Sequence, residues 1–77
     1  MTLKIISADQ IEFEGVVKSV TLPGVEGLFQ VLDNHAALMA ALKAGAVTYV
    51  TEQGESKREI KGGVADIKNN VVSVCIY

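Results

Sequence analysis

The sequence predicts an all-β domain of roughly seven or more short strands. Three observations carry this. Short apolar runs rich in Val and Ile alternate with Gly, Asn and charged residues. Lys18 to Leu22 alternates with period two, so that Val20 and Leu22 share one face and Ser19 and Thr21 the other, as a half-buried strand requires. A hydrophobic content of 49% with a single Pro is the composition of a packed core rather than of a disordered chain.

Leu3 to Ser7, Ile11 to Glu14 and Val16 to Leu22 are the first predicted strands, separated at Asp9 and Gly15. Pro23-Gly24 and Glu26-Gly27 read as loop chemistry, because Pro fixes φ and Gly supplies the positive φ of tight turns. Leu28 to Leu32 follows as a strand. Ala36 to Leu42 consists of strong helix formers and, taken alone, predicts a helix. The segment is too short for isolated helicity, however, and Leu38, Ala40 and Leu42 also fit period two. These residues by themselves leave both conformations open. Gly45 to Thr51 and Ser56 to Lys61 form a hairpin across Glu52-Gln53-Gly54-Glu55. Gly63 to Ile67 and Val71 to Ile76 form a second across Lys68-Asn69-Asn70, its last strand favoured by β-branched Val71, Val72, Val74 and Ile76.

No repeat or linker divides residues 1–77, so one domain is expected. A domain this small buries only roughly 60% of the surface its unfolded chain exposes. Seven Lys and Arg against nine Asp and Glu leave a net charge of −2, which offers nucleic acid or an anionic bilayer little attraction. No apolar run reaches the roughly 18 residues of a membrane span, so no direct membrane insertion is expected. The N-terminus MTLKIISADQ has neither the apolar run nor the cleavage site of a signal peptide, and the chain is expected to stay in the cytoplasm. Cys75, the single cysteine, cannot form an internal disulfide.

Few residues invite chemistry. His35 is the only histidine, and no C-x-x-C or H-x-x-x-H spacing surrounds it; it reads as a structural or interface residue, with no metal or cofactor expected. Cys75 lies in an apolar strand without a basic neighbour and reads as buried packing rather than as a nucleophile. A lone His and a lone Cys without orienting partners make no triad, so no enzyme is expected. Asp9, Glu12, Glu14, Glu26 and Asp33 show no spacing that selects an acid–base pair and read as solvated. Glu55 to Glu59 mixes both charge signs, as an exposed hairpin arm does. Gly62-Gly63 lacks a phosphate-loop frame and reads as a turn before a strand. In Gly24 to Phe29, apolar Val25, Leu28 and Phe29 flank glycines. They mark a contact surface, unless Phe29 turns inward to close the core.

Several stretches carry more specific information. Ile5-Ile6-Ser7-Ala8-Asp9-Gln10, then Phe13-Glu14-Gly15, then Val20 to Gly27 resemble in order and spacing the start of the F-type ATP synthase epsilon family. That family often reads V-S-A-E, F-x-G and a T-x-x-G-E-G loop. Asn34-His35-Ala36-Ala37-Leu38 is similar to its P-G-H-A-P-L, Leu42-Lys43-Ala44-Gly45 to its L-K-P-G, and Gly62-Gly63-Val64 to its S-G-G. The resemblance covers nearly the whole chain.

It implies a flattened β-sandwich of about ten short strands in two sheets whose inner faces interdigitate, and an extended Ala36 to Leu42. It also implies a non-catalytic rotor subunit of the central stalk, peripheral on the cytoplasmic face of the bacterial inner membrane. Such a domain binds the gamma subunit and the polar loops of the c-ring, coupling proton-driven rotation to ATP synthesis at distant sites. By position, Glu26, Gly27, Leu28 and Phe29 correspond to the ring-facing loop, and Ser7, His35, Met39 and Ala40 to the gamma-facing surface.

The chain departs from the pattern at Asp33-Asn34, where Pro-Gly is usual, at Ala37 and Ala44, which replace prolines, and at Leu28, often acidic. An apolar Leu28 would substitute burial, roughly 1.5–3 kcal/mol if complete, for an electrostatic contact. Most members continue into a two-helix hairpin that binds ATP or inhibits hydrolysis. These 77 residues hold no counterpart, and that regulatory role is not expected of them. The rival reading is a lipoyl- or biotinyl-type carrier domain modified at Lys43, although Leu42-Lys43-Ala44 lacks the methionine flanks of such a tip. A generic homo-oligomeric β module is a further alternative.

Overall fold

Nine strands and no helix make up the computed structural model, which describes residues 1–77. They are β1 (Thr2–Ile6), β2 (Ile11–Val16), β3 (Ser19–Gly24), β4 (Gly27–Val31), β5 (Leu38–Leu42), β6 (Gly45–Thr51), β7 (Gly54–Ile60), β8 (Gly63–Lys68) and β9 (Val71–Ile76). Their order is β2-β1-β9-β8-β5-β3-β6-β7, with β4 on β3. The pairs are antiparallel except β1 with β9.

Two sheets were expected, but the hydrogen-bonded path is continuous. β5 meets β3 at one pair only, Leu42 opposite Gly24, and there the sheet curls over. One layer is then β2-β1-β9-β8-β5 and the other β4-β3-β6-β7. Both layers supply the single core cluster: Leu3, Ile5, Val72 and Val74 from the first, Val20, Leu22, Val31 and Val47 from the second. Each such side chain contributes roughly 1.5–3 kcal/mol by burial.

Ala36 to Leu42 is extended, and all five residues of β5 pair with β8. Helix propensity yields here because a helix would leave the ladder of β8 unpaired and lift buried Leu42 from the core. Gly15 does not interrupt β2, which runs on to Val16. Pro23-Gly24 likewise continues β3, and the turn falls at Val25-Glu26. Gly24 is needed for space, since a Cβ there would lie 2.8 Å from the Gly27 carbonyl oxygen and 3.0 Å from the Phe29 ring. The β6–β7 hairpin closes on the two residues Glu52-Gln53, shorter than expected. Asn69 and Asn70 have φ of 54° and 62°, as the two-residue type I′ hairpin turn demands. Cys75 is exposed rather than buried, because its neighbours Val74 and Ile76 face the core and the pleat sends it outward.

Two of the edge strands, β2 and β7, are joined by side chains. Register slips between Ile5 and Ile6, where Ile5 faces Phe13 and Ile6 faces Ile11. Glu12 is thereby left unpaired, and a bulge of this kind re-aims its side chain. Glu12 Oε1 accepts from Arg58 Nε at 3.0 Å and Nη2 at 2.6 Å. Arg58 is therefore half-buried within an otherwise exposed arm. Beside it the rings of Phe13 and Tyr49 meet at 4.5 Å between centroids.

Candidate functional site: an apolar face and an apolar tip

A sheet with one face in water ordinarily presents polar side chains there. One row of the first layer does not. Its registers align Ala41 with Val64, Val64 with Cys75, Cys75 with Ile6 and Ile6 with Ile11. The neighbours of these residues along each strand, such as Leu42, Ala65, Val74 and Ile5, are buried. The five residues therefore form one apolar row across five strands on the outer face. Ile11 is 58% exposed and Val64 42%. The next row, through Met39, Asp66, Ser73, Lys4 and Glu14, is mostly polar.

Ser7 closes the turn after β1, beside Ile6; its N–H and Oγ both donate to the Gln10 carbonyl, at 2.9 and 3.3 Å. Met39 projects from the same outer face on β5, and is 69% exposed. Ala40 pairs with buried Ala65 and shares its inward face, so it stands apart from Met39. His35 is half-buried, and its Nδ1–H donates to the Ala36 carbonyl at 2.7 Å. Asn34 before it has φ of 63°, the left-handed conformation that the family's usual glycine would supply. Its N–H donates to Asn70 Oδ1 at 2.8 Å.

The tip is built by the β3–β4 hairpin. Phe29 lies opposite Leu22 and packs on the core, whereas Leu28 lies opposite Pro23 and is 73% exposed. Phe29 therefore turns inward to close the core, and Leu28 is left at the surface. Glu26 and Gly27 are exposed. The Val25 N–H donates to the Ala41 carbonyl at 3.0 Å, which holds the tip against β5 and joins it to the apolar row. Sequence reasoning named Val25 at the tip but missed Ala41, Val64, Cys75, Ile6 and Ile11 as one row connected to it. The available signal was that Gly63 to Ile67 and Val71 to Ile76 carry apolar residues on both faces, at Val64 and Cys75.

The electrostatics around these surfaces are mild. Glu12 is held below the usual carboxylate range, first by the Arg58 hydrogen bonds and then by Ser7. No three His, Cys, Asp or Glu side chains converge as a metal site would require. No helix is long and apolar enough to cross a membrane.

The chain is thus a small β-sandwich domain with an apolar row on its outer face and an apolar tip. Residues 1–76 match the family described as ATP synthase, Delta/Epsilon chain, beta-sandwich domain, and the chain belongs to that family. Among its relatives, the ATP synthase epsilon chain of Chlorobaculum tepidum is 41% identical over 70 residues, covering 90% of this chain and 80% of that one. The epsilon chain of Chlorobium limicola is 39% identical over 69 residues, with 88% and 78% covered. Among solved structures, a chain of the Euglena gracilis mitochondrial ATP synthase OSCP/F1/c-ring assembly superposes with a TM-score of 0.89 at 25% identity. It matches 96% of this chain, which spans 48% of the Euglena chain's length. This membership displaces the carrier reading. Lys43 lies in the short link between β5 and β6, where its backbone N–H donates to the Pro23 carbonyl at 2.9 Å.

Proposed function

We propose that this chain is a non-catalytic rotor subunit of the central stalk of an F-type ATP synthase, on the cytoplasmic face of the bacterial inner membrane. Its outer face docks on the gamma subunit and its tip, Glu26 to Phe29, meets the polar loops of the c-ring. The observation that carries this is the apolar row Ala41, Val64, Cys75, Ile6 and Ile11. A free domain gains nothing by holding such a row in water, whereas a docked one buries it. Ser7 and Met39 border the row, as a gamma-facing role for them requires, and His35 braces the segment that leads into β5. The chain moves no substrate and forms no bond; it carries torque between two anchored surfaces. Close packing makes the sandwich stiff enough for that task.

Isothermal calorimetry of the purified chain against the cognate gamma subunit tests the reading. One-to-one binding with a negative heat-capacity change is expected from burial of the row. No binding by a folded chain would overturn it.

A further inference from the structure

At the end of the second layer away from the tip, the space between the layers is not filled. Phe13 and Gly15 lie opposite buried Ile5 and Leu3, and Tyr49 lies opposite buried Val20 on one side and Ser56 on the other. All four therefore face inward, as does Thr51 two residues beyond Tyr49. Where a sandwich ordinarily interdigitates large apolar side chains, this corner holds a glycine, a serine and a threonine. A groove of about 470 Å³ opens there between β2 and the β6–β7 hairpin. The Phe13 ring leans over Gly15, so that a Cβ there would lie 3.2 Å from its Cζ, and the Phe13 and Tyr49 rings both line the groove. Its only charged residues are Glu14 and Glu52, both exposed. Neither takes part in an ion pair of the structure, which are Glu12 with Arg58 and the N-terminal ammonium with Asp33. Even Lys4, opposite Glu14 on β1, makes none with it.

We propose that this groove receives the guanidinium of an arginine presented by a partner polypeptide. Two carboxylates without a cation repel an anion and attract a positive group. The lining then selects among cations. A guanidinium is planar, more weakly hydrated than an ammonium, and stacks on aromatic faces such as those of Phe13 and Tyr49. Its five N–H donors suit dispersed acceptors, here the two carboxylates and the Ser56 hydroxyl. A metal ion is not served, since no three ligating side chains converge, and Thr51 Oγ1 is engaged within its own turn by Gln53 and Gly54. The chain holds one guanidinium in this way already: Arg58 on Glu12, beside the same rings. That group is engaged by Glu12 and the Glu59 carbonyl, which leaves Glu14 and Glu52 for a second. The inference stands apart from the rotor reading, because the groove shares no residue with the tip, the apolar row or the residues assigned to gamma.

The test is a heteronuclear NMR titration of the full chain with the peptide acetyl-Gly-Arg-Gly-amide. Its counterpart with citrulline in place of arginine keeps the shape and loses the charge. Saturable shifts are expected at the amides of Gly15, Tyr49, Glu52 and Ser56, with a Kd of about 1–10 mM. The citrulline peptide should bind about tenfold or more weakly. The double variant Glu14→Gln/Glu52→Gln should weaken arginine binding about fivefold or more and flatten its salt dependence. Ser56→Trp fills the groove from an exposed position and should abolish the saturable shifts. Should it melt early, the double variant, changed only at exposed positions, carries the test alone. No saturable shift, or shifts spread evenly over exposed carboxylates such as Asp9 and Glu55, overturns the proposal. Equal binding of the citrulline peptide, or undiminished binding by the folded double variant, overturns it as well.

Discussion

Val64 is the second residue of the apolar row, between Ala41 on β5 and Cys75 on β9, so Val64→Lys puts a charge within the surface proposed to face gamma. Full burial of a valine is worth roughly 1.5–3 kcal/mol. With 42% of the residue still in water, about 1 kcal/mol remains for a partner to gain, and lysine forfeits it. The ammonium must in addition be desolvated or snorkel to the rim, which costs a further few kcal/mol. Together these weaken gamma binding by about 2–4 kcal/mol, or about 30- to 1000-fold. Stability should change by no more than about 1 kcal/mol, since the site faces outward and Asp66, two residues along the same face, attracts the new charge. Calorimetric titration against gamma, paired with thermal melts, reads both quantities. Lys57→Ala on β7, in the other layer, is the control and should bind normally. A folded Val64→Lys chain with wild-type affinity would refute the assignment of this face to docking.

Glu12→Gln should lower the melting temperature at neutral pH. The folded carboxyl titrates below its unfolded value, so the clasp's contribution is present above the unfolded pKa and disappears as pH falls through the folded one; a gap between the two proteins that stays constant across the acid limb would contradict this. Gly63→Ala places a Cβ 2.2 Å from the Cys75 carbonyl oxygen, forcing β8 from β9. A loss of about 3 kcal/mol or more in urea unfolding is expected, and a loss under about 1 kcal/mol would show that the two strands can part cheaply. Leu28→Asp removes a side chain the fold hardly covers and should cost under about 1 kcal/mol, against about 2–5 for Leu22→Ala in the core. Equal losses in melts would place Leu28 in the core instead.

Where turn chemistry brackets a strand, local residues were enough to read it. Gly45 to Thr51 and Val71 to Ile76 fall on β6 and β9 to the residue, because glycine opens one and the Asn69-Asn70 turn opens the other. Ala36 to Leu42 was not legible from its own side chains: alanine and leucine favour a helix, and pairing with β8 decides otherwise. Resemblance to the epsilon family supplied the extended form that propensity could not. Gly15 and Gly24 misled because each was read for conformational freedom. In the fold they sit beneath the Phe13 and Phe29 rings, where no Cβ fits easily. The apolar row was the least legible feature. Ile11, Cys75 and Ala41 are far apart in sequence, and only register sets them side by side. Ser7, His35, Met39 and Ala40 came from position within the family, and nothing in their own neighbourhoods signals that Met39 faces outward while Ala40 faces in.

The clasp of Glu12 with Arg58, and of Phe13 with Tyr49, gains a mechanical meaning in a body that turns. Two layers joined only near one end, by the Leu42–Gly24 pair and the backbone hydrogen bonds beside it, behave as an open channel section, which yields easily to twisting because its walls slide past each other. Joining the second margin converts the channel into a closed tube, and a closed thin-walled section resists torsion far better than an open one of the same material. The ion pair and ring contact between β2 and the β6–β7 hairpin form that second seam. Their contribution is then to torsional compliance more than to unfolding free energy. Loosening the seam would show first as wind-up between the two proposed docking surfaces under load, in a domain that still melts as one unit.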